Sequence, residues 1–101
     1  MKLTIQDRLI LGSVCPEKDN IDRLLIRKSI MEQVKIEPEE SKLIELKHEG
    51  TKFSWNKEKE TEMDAKLSEV ETNYLRNCIS ELSNKKELHA SMVELYLKIK
   101  G

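Results

Sequence analysis

The stretch from Ser68-Glu69-Val70-Glu71 to Leu82 constrains this chain more than any other. A serine followed three places later by a glutamate can satisfy two of the free N–H groups that open a helix, each side chain bonding the other residue's backbone. Val70, Tyr74, Leu75, Cys78, Ile79 and Leu82 then recur at helical spacing. The result is an expected helix over about 68–83 with one clean apolar stripe. A helix with one apolar stripe must bury it, so the remaining residues have to supply the cover.

Four other stretches read as helical. Thr4 is placed to cap a first helix over 4–12, with Asp7 as its capping acid and Ile5, Leu9 and Ile10 as apolar contacts. Gly12 and Pro16 punctuate its end, and "CPEKDN" reads as a loop. Asp19 or Asn20 caps a second helix over 20–35. Pro38 suits the first position of a short helix at 38–43, and Glu39 and Glu40 suit its positive end. A last helix at 90–99 directs Leu88, Met92, Leu95, Tyr96 and Ile99 inward.

The second of these helices carries two apolar stripes. Ile21, Leu24, Leu25 and Met31 lie on one side, and Ile26, Ile30 and Val34 lie nearly opposite. A helix apolar on two sides is packed on two sides, so it is central to the fold or shared with another chain. Ile26, Ile30 and Val34 are therefore the candidate partner interface, the partner being another protein or a second copy of this one.

The strand pattern lies between these helices. "IELKHEGTKFSWN" (residues 44–56) holds the only Phe and the only Trp. With Glu49-Gly50 as a two-residue turn, His48 would pair with Thr51, Leu46 with Phe53 and Ile44 with Trp55. Alternation then sorts these residues onto one face and Glu45, Lys47, Lys52 and Ser54 onto the other. The two aromatics would anchor a small sheet to the helices. Thr61, Met63, Ala65 and Leu67 alternate again and predict a third strand completing a meander. The expected fold is α+β in one domain over 1–101. Its three-stranded antiparallel meander spans about 43–48, 51–56 and 60–66, in the order α-α-(short α)-β-β-β-α-α. Leu25, Leu46, Phe53, Trp55, Tyr74, Cys78, Leu82 and Leu95 are its expected core.

Charged residues make up 37% of the chain, but 18 Lys and Arg stand against 19 Asp and Glu, for a net charge of −1. Balanced charge on periodic helices describes solvated faces. The apolar periodicity argues against disorder, which pairs low hydrophobicity with high net charge. Nucleic-acid binding is the alternative function. A helix, a short helix and a hairpin could form a winged helix with Lys47 and Lys52 on the wing. Phosphate binding draws on clustered basic residues, whereas "KEKE", "KKE" and "KHE" dilute theirs with glutamate, so nucleic acid is not the expected partner.

Chemistry has little to work with. His48, His89, Cys15 and Cys78 include no pair at metal-ligand spacing. Three glycines leave no Gly-rich phosphate loop, and no histidine stands beside a nucleophile. No enzyme, cofactor or metal is expected. Cys15 and Cys78 read as buried thiols, with a bridge between them left open. Asp7 and Arg8 interrupt the apolar N-terminal run, which argues against a secretory signal. No run approaches the roughly 20 apolar residues of a membrane span. A location in the cytoplasm is expected.

The order of these features resembles a family of small bacteriophage and prophage proteins to which no activity is attached. The likeness runs from Arg8 to Ile99 through "RLILGSVCPEKDN", "KHEGTKFSWN", "KETEMDAKLSE" and "NKKELHASMVELYLK". Its specific parts are the Glu-Gly turn followed by Trp55-Asn56 and the closing Leu95-Tyr96 segment. The chain departs from the family at Ser13, Val14 and Cys15, where leucines precede the proline, and at His89, where a threonine cap is usual. The resemblance implies a small phage protein acting in the cytoplasm of a bacterial host. It supplies no functional residues.

Overall fold

The structure is a computed structural model that describes residues 1–50 and 52–100. Its order is β1 (Lys2–Leu3), α1 (Ile5–Val14), α2 (Ile21–Val34), α3 (Pro38–Leu43), β2 (Lys47–Glu49), β3 (Lys52–Ser54), a 3-10 turn (Lys57–Lys59), β4 (Met63–Asp64), α4 (Glu69–Asn84), a second 3-10 turn (Ala90–Met92) and α5 (Val93–Lys100). The fold class is α+β, as the residue patterns imply.

Helix α4 is the hub, with α1, α2 and α5 all packed on it. Its capping box forms as expected: Ser68 Oγ accepts from Glu71 N at 3.1 Å, and Glu71 accepts from Ser68 N at 2.9 Å. Tyr74, Leu75, Cys78 and Ile79 are buried and Leu82 is half-buried. Val70 is exposed, contrary to the expected stripe, and Glu71 turns inward instead. The Glu71 carboxylate also accepts from Ser29 Oγ at 2.9 Å and Gln33 Nε2 at 3.0 Å, so a hydrogen-bonded acid joins α4 to α2 where an apolar contact was expected.

Helix α1 opens with the reciprocal Thr4–Asp7 box, and Asp7 also pairs with Lys98 of α5. It runs through Gly12 to Val14, past the expected end. Proline, not glycine, sets the stop: Cys15 takes extended backbone (φ −88°, ψ 123°) because the residue before Pro16 is forced away from helix. Arg8 is buried at the far end of α2, where its Nε and Nη2 donate to the carbonyls of Val34 and Lys35 at 2.8 and 2.7 Å. These carbonyls lack helical partners, and a guanidinium also matches the negative end of the helix. Nη1 donates to Glu40 at 2.7 Å, and Glu40 accepts from Thr61 as well.

Helix α2 corrects the interface expectation. Ile30 is 0% exposed, Val34 is buried, and Ile26 packs half-buried against the same core. These three residues are the internal stripe and form no surface for a partner. Ile21 and Leu25, at 67% and 57% exposure, face outward. Helix α2 is therefore neither central nor packed equally on two sides. Glu71 bonds Ser29 and Gln33 at the edge of this face, one and two turns on from the exposed Leu25.

The meander does not form. Met63↔Leu3 and Asp64↔Lys2 pair antiparallel, so the expected third strand joins the N-terminus and not the hairpin. The 3-10 turn at Lys57–Lys59 and the bond from Ile5 N to Glu60 Oε1, 3.1 Å, lead the chain toward β1. The alternation itself holds: Ala65 is buried, and Thr61, Met63 and Leu67 are half-buried. The first two strands do form a hairpin, but Lys47↔Ser54, His48↔Phe53 and Glu49↔Lys52 pair in place of the expected register. The expected His48–Thr51 pair reaches outside the described residues. A slide of two residues preserves parity, so the same side chains still share a face.

The first expected strand also starts late. Ile44 ends α3, and Glu45 takes left-handed backbone (φ 56°). Glu45 N donates to Lys42 O and Leu46 N to Ser41 O, the bonding of a Schellman helix end. Glycine usually marks such an end, and its absence hid this one.

Candidate functional site

The hairpin stands against α1 and exposes every residue of β2 and β3. Gly50 takes φ 62° at the turn, a conformation that suits glycine. His48 and Phe53, directly opposed across the strands, stack with ring centroids 4.3 Å apart and planes 8° from parallel. Phe53 remains 43% exposed, so it does not anchor the hairpin in the core as expected. Trp55, two residues on, is half-buried, as is Leu46. Between hairpin and helix lies a groove of ≈ 290 Å³ lined by Leu9, Ile10, Ser13, Phe53, Trp55 and Ser91, among others. Its apolar floor comes from α1, whose other side feeds Ile5, Leu11 and Val14 into the core. The groove is thus built on a rigid helix with an aromatic pair at its lip.

Charge at the hairpin is mixed. Lys47 and Lys52 are exposed, but Glu49 sits across from Lys52. At the base, Glu45 accepts from Asn56 Nδ2 at 3.2 Å and pairs with Lys59 at 3.5 Å. The Asn56 hydrogen bond and the Lys59 charge hold the Glu45 carboxyl below its usual value.

A second cluster was not legible in the chain. Cys15, the C-cap of α1, meets Tyr74 and Cys78 of α4, and both cysteines are free and buried. Arg23 of α2 extends its Nη2 to 3.6 Å from Cys78 Sγ, and its guanidinium carbon lies 5.3 Å from the centroid of the Tyr74 ring. Asp19 and Glu81 hold the other edge of Arg23 at 3.1 Å each. The neighbouring Cys15 thiol, with Tyr74 and Arg23, draws the Cys78 thiol down to about 6. Cys15 is pushed up by the neighbouring Cys78 thiol and by burial. Burial and the two sulfurs also push the Tyr74 hydroxyl up. Tyr74 and Cys78 stand one turn apart on α4, which sequence shows; that Cys15 and Arg23 meet them depends on how three helices pack.

His48 and His89 remain surface residues. Among the described residues, no three His, Cys, Asp or Glu side chains gather as a metal site, and no helix is long and apolar enough to cross a membrane. Comparison with protein-family models, with curated proteins and with solved structures finds no match to this chain.

Proposed function

We propose that this chain is a non-catalytic protein-interaction module of phage or prophage origin, acting in the cytoplasm of a bacterial host. The partner would cover the His48–Phe53 pair and the groove behind it. The observation that carries this reading is the exposure of a stacked aromatic pair beside an apolar groove on a rigid helix. Aromatic anchors in pre-formed pockets dominate protein interfaces, and an exposed apolar lip is a common mark of one. The phage setting rests on the resemblance through "KHEGTKFSWN" and the closing helix. The interface thus moves from Ile26, Ile30 and Val34 to the hairpin. Nucleic-acid binding keeps Lys47 and Lys52 in its favour, but Glu49 offsets one of them.

Selection of a random peptide library on the immobilised chain tests the proposal. Enriched peptides should share an apolar anchor and lose at least about tenfold in affinity, roughly 1.4 kcal/mol, against Phe53→Glu. The variant should melt as the parent does. Peptides that bind Phe53→Glu equally well, or no enrichment at all, would overturn the site. Tight DNA or RNA binding at about 0.15 M salt that weakens steeply with added salt would favour the second reading.

A further inference from the structure

We propose that Cys15 and Cys78 form an oxidisable dithiol which hydrogen peroxide converts to an intramolecular disulfide, with Cys78 as the attacking sulfur and Cys15 as the resolving one. Three observations carry this. The two thiols meet in one core cluster although they come from opposite halves of the chain. A guanidinium, itself held by two carboxylates, reaches the sulfur of Cys78, whereas the Arg27 guanidinium beside Cys15 donates to its backbone carbonyl at 3.4 Å. Each cysteine also lines a cleft: Cys78 one of ≈ 110 Å³ with Ser13, Pro16, Glu81 and Lys85, and Cys15 one with Gly12, Ser13, Pro16 and Lys18. Ser13 and Pro16 border both clefts, which places the openings side by side. A cleft this narrow suits an oxidant the size of peroxide better than a bulky disulfide.

The thiolate is the nucleophile, so an electropositive neighbour activates a cysteine. With Cys78 0% and Cys15 2% exposed, only an oxidant small enough to enter the clefts beside them can reach either sulfur. The lowered thiol of Cys78 and the raised thiol of Cys15 agree with one shared proton and a charge placed beside Arg23. The Cys78 thiolate attacks one peroxide oxygen. The O–O bond breaks, and hydroxide leaves and takes up the proton Cys78 released, giving a sulfenic acid and water. The sulfur of Cys15 then attacks that of Cys78. The S–O bond breaks, and the departing hydroxide takes the Cys15 proton as a second water. Two thiols lose two electrons to one peroxide. The bridge ties the end of α1 to the middle of α4 and does not depend on the hairpin groove.

The test treats the intact chain with one equivalent of hydrogen peroxide and follows free thiols and intact mass. The parent should lose both thiols and the mass of two hydrogens as a monomer, reversibly with dithiothreitol. Its melting temperature should rise by roughly 10 °C, since the bridge closes a long loop. Cys15→Ser should stop at a sulfenic acid on Cys78 that dimedone traps, and Cys78→Ser should leave Cys15 unmodified over the same time. Arg23→Gln keeps both cysteines and should slow the parent reaction severalfold at about pH 5, below the Cys78 value, where a thiol raised by about one pH unit holds roughly a tenth as much thiolate. That variant, with the denatured chain as the reference for ordinary thiols, decides the matter if a serine variant does not fold. Thiols that react no faster folded than denatured, an intermolecular dimer as the product, or oxygen added without a bridge would each overturn the proposal.

Discussion

The hairpin and the α4 bundle are held by different forces. In the bundle, Leu75, Cys78, Ile30 and Leu95 are all fully buried, and each fixes the rotation of its helix. In the hairpin, every residue of β2 and β3 is exposed, so no buried side chain fixes the pairing. Register is tightly specified only where one face of a strand is buried. Here the turn sets it, helped by the His48–Phe53 stack and the Glu49–Lys52 pair. One region has its geometry dictated by the core, and the other projects from that core with contacts to spare.

The largest expected effect probes the bundle side of this contrast. Ile30→Glu should unfold the protein, because an unpaired carboxylate in a fully buried site costs on the order of 5 kcal/mol or more, comparable to the whole stability of a small domain. Leu25→Glu, on the same helix but facing out, should change stability by no more than about 0.5 kcal/mol. Circular-dichroism melts of both variants check this. A folded Ile30→Glu would mean that the opposite stripe of α2 faces the core.

The next contrast lies within the hairpin. Trp55→Ala should cost roughly 2 kcal/mol, below the usual range for a fully buried tryptophan, and Phe53→Ala less than about 1 kcal/mol. Urea denaturation of the two variants would show whether the hairpin contributes to stability chiefly at its base. Equal costs would place Phe53 in the core after all.

What could be read from the residues follows the same division. The α4 stripe from Tyr74 to Leu82, both capping boxes and the inward alternation of Met63 and Ala65 each rest on local rules that packing reinforces. Which stripe of α2 turns inward is not a local matter. Ile26, Ile30 and Val34 look no more internal than Leu24 and Leu25 until α2 is seen packed on α4, with Glu71 bonding Ser29 and Gln33 at the edge of the contact. The partner of β4 was equally hidden, since β1 is only two residues long and precedes it by some sixty positions. The meeting of Cys15 with Cys78 and the groove under Phe53 arise where elements distant in the chain converge, so spacing alone carries no sign of them.

Acid should act on the bundle through the same Glu71. Its carboxyl is raised by burial but lowered by more, through the Ser68 backbone and the Ser29, Ser68 and Gln33 side chains. The Arg8 hydrogen bond lowers Glu40 in the same direction. A carboxyl whose folded value lies below its unfolded value of 4.5 contributes fully above that pH, and the contribution is lost as pH falls through the folded value. Urea midpoints should therefore drop on acidification below about pH 4.5, and Glu71→Gln should flatten that drop. An unchanged acid slope in the variant would show that the Ser29 and Gln33 contacts do not persist in solution.

The smallest expected effect compares the two regions at matching positions. Helices α3 and α4 both end in Schellman bonding with a non-glycine residue in left-handed backbone, Glu45 at φ 56° and Lys86 at φ 57°. An L-residue there costs roughly 1–2 kcal/mol, while glycine loses about 0.5–1 kcal/mol more chain entropy on folding. Lys86→Gly should therefore stabilise the protein by about 0.5 kcal/mol. Glu45→Gly relieves the same strain but also removes the carboxylate that bridges Asn56 and Lys59 across the hairpin base. Exposed bridges of this kind contribute little, so Glu45→Gly should stabilise the protein less than Lys86→Gly does. Denaturation midpoints of the two variants measure the difference. If Glu45→Gly stabilises as much as Lys86→Gly, the bridge contributes nothing, and the hairpin is joined to α3 by its backbone bonds alone.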